Sequence, residues 1–249
     1  MKGQLHIFDD EDTLIESLAR AWSALAEIAV RERGSFQVAL AGGSTPKRFY
    51  QRLAQADLRD SLPWAQTQIY FGDERCVAQH HADSNFHMAS EALLTRVPVP
   101  ETQIHPMYDA ALSAGENARR YASLLQNNLP LAANGQPVFD LVLLGMGTDG
   151  HTASLFPGSD ILQESQQPVA AQFVEALQAW RISLTFPAIN AARQVFFLVA
   201  GKGKADILHT IAQSESAETY PVQRVQPAGE LHWYLDRAAA RRLETEGHL

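Results

Sequence analysis

The sequence predicts an α/β protein with a doubly wound, mostly parallel sheet and helices on both faces. Short apolar runs alternate with longer stretches of helical periodicity along the chain, as strands and crossover helices do. The run at 139–144 is almost continuously apolar, the pattern of a strand buried on both faces. The richest turn chemistry, in loops bearing Gly and Pro, follows strand ends, where the ligand crevice of an open α/β sheet lies.

The elements follow in order. Residues 5–8 read as the first strand. Thr13 and Glu16 have capping-box spacing, so a helix is expected to start there, with Leu14, Leu18, Trp22 and Leu25 on its apolar face to about residue 31. Residues 36–40 form a second strand, and Pro46 suits the first turn of the helix after it. A third strand ends at 69–71, and Ser84 caps a helix carrying Phe86, Met88, Leu93 and Leu94. Ser113 and Glu116 form another capping box, opening a helix to about residue 127. Strands at 139–144, 182–186, 195–200 and 231–235 complete the second half, with a helix over 204–213. No fixed-period repeat and no linker interrupts the pattern, so one domain over 1–249 is expected.

Composition narrows the function. Of 249 residues, 46% are apolar, enough for a sizeable core. No apolar stretch is long enough to cross a bilayer, and the N-terminus lacks a basic-then-apolar signal design. The single cysteine, Cys76, rules out an internal disulfide framework and suits the cytoplasm. Lys and Arg number 20 against 28 Asp and Glu, a formal net charge of −8, so neither nucleic acid nor membrane is an expected partner. An acidic chain that binds an anionic metabolite needs a local cationic pocket.

Several loops carry the chemistry. Gly42, Gly43, Ser44 and Thr45 lie between a strand and a helix, where close backbone approach and free helix amides suit an anion. An ordinary turn with Thr45 as N-cap fits the same residues equally well. The segment 145–151 contains G-x-G-x-x-G, but Pro157 and Gly158 soon interrupt the chain and no acid follows at dinucleotide-site spacing. Asp149 and His151 within that turn suggest proton transfer. Arg181 opens a strand and Lys204 a helix, both placed to reach an anion. Lys204 is followed by Ala205 and lacks the Walker spacing, which disfavours a nucleoside triphosphate. Residues 72–75 and 83–85 offer either a mutual ion-pair turn or a polar wall. His80, His81 and Asp83 lack the converging ligands of a metal site, so no metal is expected.

Together these segments resemble the bacterial 6-phosphogluconolactonase family, within the wider group that includes glucosamine-6-phosphate deaminase. The resemblance runs from about residue 5 to 238. It rests on Ala41 to Pro46, Phe71 to Arg75, Asp83 to Asn85, Gly147 to Gly158, Arg181 to Thr185 and Gly201 to Lys204, in that order. It implies a Rossmann-like sheet and hydrolysis of a phosphorylated sugar lactone in the oxidative pentose phosphate pathway, without a cofactor. It also implies His151 as general base with Asp149 beside it, Arg75, Arg181 and Lys204 as cationic groups, and Gly43 with Ser44 as phosphate loop. Arg75 could face the lactone end instead of the phosphate. A monomer or small homo-oligomer would serve.

Two rivals remain. An isomerising deaminase of the same fold would carry Asn-Glu-Pro after the loop histidine, where this chain has Leu155-Phe156-Pro157, and tends to carry an aromatic at Arg75. A sugar-phosphate-sensing module without catalysis would need a DNA-binding segment, yet the sheet is expected to start at Leu5, and the Asp149–His151 pair argues for chemistry. Ser154 does not sit in the G-x-S-x-G elbow of serine hydrolases.

Overall fold

A computed structural model describes residues 1–214 and 220–244. Its main sheet has six parallel strands, β1 (Gln4–Phe8), β2 (Phe36–Leu40), β3 (Thr67–Phe71), β5 (Leu141–Leu144), β8 (Gln194–Val199) and β9 (Glu230–Asp236). Their spatial order is β1-β9-β8-β5-β2-β3. A second, three-stranded antiparallel sheet holds β4 (Asp73–Arg75), β7 (Ala179–Leu184) and β6 (Val169–Val174) in that order. The helices are α1 (Glu11–Arg33), α2 (Ser44–Leu53), α3 (Ala56–Arg59), α4 (Asn85–Ala89), α5 (Ala114–Asn128), α6 (Phe186–Asn190), α7 (Ala205–Gln213) and α8 (Arg237–Glu244). Among the described residues no helix is long and apolar enough to cross a membrane.

Strand register sorts side chains between the two faces. Val38 lies beside Leu141, Leu143 beside Phe196, and Phe196 beside His232, so these residues share a face and Trp233 takes the other. Helix α1 covers the first face, where buried Trp22 meets Phe36 edge-on at 5.2 Å and Phe49 at 5.7 Å. Truncating Trp22 to Ala would remove about 3–5 kcal/mol of stability. Helix α7 lies on the second face, where Ile211 and Trp233 line one small cavity. Helices on both faces therefore bury strands along their whole length, such as β2 and β5.

The chain leaves β2 outward to β3 and leaves β5 in the opposite direction, through β8 to β9. The loops after β2 and β5 thus part from each other at a topological switch point, and a crevice opens between them. Gly72 links β3 directly to β4, with its N–H on Leu40 O and its carbonyl accepting from Leu184 N, each at 2.8 Å. The small sheet therefore hangs from the carboxyl end of the large one.

Several boundaries differ from the sequence expectation. Helix α1 starts at Glu11 because Asp10 is the N-cap, accepting from Thr13 N at 2.8 Å. The reciprocal partner is Thr13, while Glu16 turns to Arg52. The expected strand at 182–186 is β7, which ends at Leu184 and belongs to the antiparallel sheet. Thr185 then caps α6, whose Pro187 occupies the first turn. Strand β6 and helix α8 were not foreseen: β6 is mostly half-exposed, and α8 is a run of only eight residues directly after a strand. Ser84 and Ser113 cap α4 and α5 as expected.

Candidate active site

The loop after β2 is braced from behind. The buried Tyr50 hydroxyl donates to Ala41 O at 2.8 Å and accepts from Ala41 N at 2.9 Å. Gly42 follows with the Asn85 side chain directly against it; a Cβ there would lie 2.1 Å from Asn85 Oδ1. Gly43 is the N-cap of α2 and offers no side-chain cap, so the first amides of that helix keep their donor capacity. Ser44 is exposed beside them. Thr45 lines the same cleft, but its hydroxyl donates to Glu11 Oε1 at 2.9 Å.

Beyond β3, three consecutive charged residues take separate roles. Asp73 is buried at the cleft wall, where Oδ2 accepts from Ser154 Oγ at 2.6 Å and Oδ1 from Asn85 Nδ2 at 3.0 Å. Glu74 faces inward and accepts from Arg75 N, Asn85 N, Phe86 N and Ser84 Oγ at 2.7–3.0 Å. Burial pushes its carboxyl up despite these donors. Glu74 therefore fixes the start of α4, and with it Asn85. Arg75 lines the cleft and donates to Asp83 O.

Arg181 pairs with Arg75 across the antiparallel β4–β7 ladder and stands outside the cleft wall proper. Directly opposed residues project from the same face, so the two guanidinium groups are neighbours. Burial and then Arg75 push Arg181 below its ordinary value, with Asp73 and Asp83 acting the other way. Two adjacent cations next to a cleft favour an anion there.

The loop after β5 closes on itself, with Gly147 N on His151 O at 2.8 Å and Thr152 Oγ1 on Gly145 O at 2.8 Å. No helix opens from it, so its glycines do not form a dinucleotide fingerprint. His151 Nδ1 meets Asp149 Oδ1 at 2.6 Å, and the same oxygen accepts from His151 N at 3.1 Å. Burial raises the Asp149 carboxyl, but the His151 amide and ring outweigh it and hold the group below its ordinary value. An ionised carboxylate only accepts, so Nδ1 is the donor of this contact, and the tautomer that keeps it has its lone pair on Nε2. The pair lies against Gly147, where a Cβ would come 2.1 Å from His151 Nδ1. Phe156 covers the imidazole at 4.4 Å.

Lys204, in the turn after β8, donates from Nζ to Met146 O at 2.6 Å. Burial pushes its ammonium down, and Asp149 opposes that shift. The cleft these loops enclose has a volume of about 250 Å³ and brings together Gly42 to Thr45, Asp73, Arg75, Asn85, His151 and Lys204. Among the described residues no three His, Cys, Asp or Glu side chains converge as metal ligands. His81 Nδ1 is 3.7 Å from Asp83 Oδ2 at an exposed site.

The family profile described as glucosamine-6-phosphate isomerases/6-phosphogluconolactonase matches residues 9–233. The chain belongs to this family. A 6-phosphogluconolactonase of Synechocystis sp. is 39% identical over 244 residues, covering 98% of this chain and 99% of that one. The structure of 6-phosphogluconolactonase from Trypanosoma brucei superposes with a TM-score of 0.84 at 30% identity, covering 97% and 99% of the two chains. A monomeric glucosamine-6-phosphate deaminase, 17% identical with a TM-score of 0.76, shares the fold. The full-length relatives group the chain with the lactone-hydrolysing enzymes of the glucosamine-6-phosphate isomerase/6-phosphogluconolactonase family.

In this family member, Asp73 and Asn85 are cleft residues that sequence reasoning left inside an undivided polar wall. Their role follows from the meeting of β4, α4 and the loop carrying Ser154, and only the quoted polar segments 72–75 and 83–85 hinted at it. Asp149 is joined to the cleft through His151.

Proposed function

We propose that the protein hydrolyses 6-phospho-D-glucono-1,5-lactone to 6-phospho-D-gluconate in the oxidative pentose phosphate pathway, with His151 as general base. The observation that carries this reading is the 2.6 Å Asp149–His151 contact at a cleft also lined by Arg75 and Lys204. A δ-lactone is an ester, so hydrolysis needs positioning, a base and a stabilised oxyanion, and no covalent nucleophile. Nε2 of His151 takes a proton from water as its oxygen attacks C1. The tetrahedral oxyanion is met by the Arg75 cation or by backbone amides. The C1–O5 bond then breaks, and the imidazolium returns its proton to O5. Lys204, Arg181 and the amides of Gly43 and Ser44 hold the 6-phosphate. Phe156 against the imidazole, in place of a second acid, supports hydrolysis over deamination.

The same reading takes 1–249 as one sugar-phosphate-binding domain, a cytoplasmic monomer or small homo-oligomer that needs neither metal nor cofactor. Dialysis against a strong chelator should leave turnover intact; activity that collapses and returns with zinc would overturn that part. The central test follows acid release from enzymatically generated lactone. His151→Asn should keep substrate binding and lose about 10²-fold or more in rate. Turnover within a few-fold of the parent would remove His151 as the base.

A further inference from the structure

We propose that Tyr220 is a positioning residue for His151, an inference that rests on the reading of His151 as general base. The three atoms nearest to a Cβ built on Gly150 all belong to Tyr220, with Cδ1 at 2.6 Å and Cβ and Cγ at 3.0 Å. The ring therefore lies directly on the Gly150 Cα, between the two residues of the acid–base pair. Val222 N donates to Gly150 O at 3.2 Å, so the contact is backed by a main-chain bond. The clamp is itself anchored: Gln223 Oε1 accepts from Tyr220 N at 3.0 Å, and Gln223 Nε2 donates to Ile211 O in α7 at 3.3 Å.

Asp149 and His151 have side chains 50% and 31% exposed, so beyond Phe156 on the imidazole their orientation depends on the turn beneath them. Gly150 has φ 78°, a left-handed conformation that the turn must hold. Lys204 grips the same loop at Met146 O, from just ahead of α7, while the segment after α7 grips Gly150. The loop is thus held at two points by one stretch of chain. The Tyr220 point bears on the residue between Asp149 and His151, so releasing it lets the imidazole drift, and displacement of a catalytic group by about 1 Å can cost 10²-fold in rate.

The test compares kcat and KM for Tyr220→Ala and Tyr220→Phe on phosphorylated and unphosphorylated gluconolactone. Tyr220→Ala should lower kcat by about 10- to 100-fold with KM little changed, equally for both lactones. Tyr220→Phe, which keeps the ring on Gly150, should stay near the parent. Gly150→Ala should be damaged more, and adding Tyr220→Ala to it should restore part of the loss by removing the clash. If Tyr220→Ala alone fails to fold, Tyr220→Leu decides the matter: it removes the flat ring but keeps an apolar side chain there, so kcat should fall with KM little changed, and a parent-like kcat overturns the proposal. A Tyr220→Ala enzyme within about twofold of the parent, or one impaired only in KM or only toward the phosphorylated lactone, overturns the proposal. If the parent has no lactonase activity, the base reading fails instead. The clamp is then judged by proton NMR: the deshielded Nδ1 proton of His151 should be lost in Tyr220→Ala, and its persistence unchanged overturns the positioning role.

Discussion

The loops on either side of the β2–β5 switch point build their halves of the cleft from opposite materials. After β2 the chain offers backbone: small residues, the uncapped start of α2, and a tyrosine bracing from behind. After β5 it offers side chains, with a carboxylate orienting an imidazole across a glycine. Backbone donors survive most substitutions and fail when a new atom blocks the approach. A side-chain pair fails when either member is removed or displaced. The first loop suits a ligand group that keeps its charge throughout, and the second suits a centre whose protonation changes during turnover.

Substitutions can break this contrast in order of size. Gly147→Ala places a Cβ 2.1 Å from His151 Nδ1, so it should lose about 10²-fold in kcat, approaching His151→Asn while every functional side chain remains. Steady-state rates check it, and near-normal kcat would mean that the pair is not held against Gly147. Lys204→Ala comes next, with kcat/KM on the phosphorylated lactone falling by about one to two powers of ten. Unphosphorylated gluconolactone, already a poor substrate, should barely respond. Equal loss on both lactones would assign Lys204 to the reacting centre or to holding the loop through Met146. Thr45→Val should have the smallest effect, because its hydroxyl serves Glu11: about 0.5–1.5 kcal/mol of stability in denaturant titration, with activity near the parent. A large rise in KM would place that hydroxyl on the phosphate.

The parallel sheet was far more legible than the small one. β2 and β5 are buried on both faces and advertise themselves as short runs that are apolar but for Gln37. β6 is a half-exposed hairpin partner whose residues mix polar and apolar without a clean period, and its neighbour β7 gave no sign of which sheet it joins. Local capping chemistry was read well at Ser113, where both partners lie within one turn. At Asp10 it failed: Thr13 and Glu16 have the capping-box spacing, but Asp10 takes the cap, Thr13 is its reciprocal partner and Glu16 pairs with Arg52. The cleft residues divide in the same way. Gly43, His151 and Lys204 stand in loops whose composition is unusual by itself. Asp73, Asn85 and Tyr220 become significant only through partners distant in sequence, such as Ser154 and Gly150.

The pairing of β1 with β9 has a consequence for the newborn chain. β1 sits at the edge of the sheet, and β9 is its neighbour there. Within this sheet the first strand in chain order therefore waits for the last before it can be zipped, a pairing of very long sequence separation and correspondingly slow closure. Meanwhile β2, β3, β5 and β8, whose loops line the cleft, can already associate. The binding loops are thus assembled ahead of the seam that seals the molecule. During that interval β8 presents a bare, strongly apolar edge where β9 will pair, which is the point at which a nascent chain most needs protection from its neighbours.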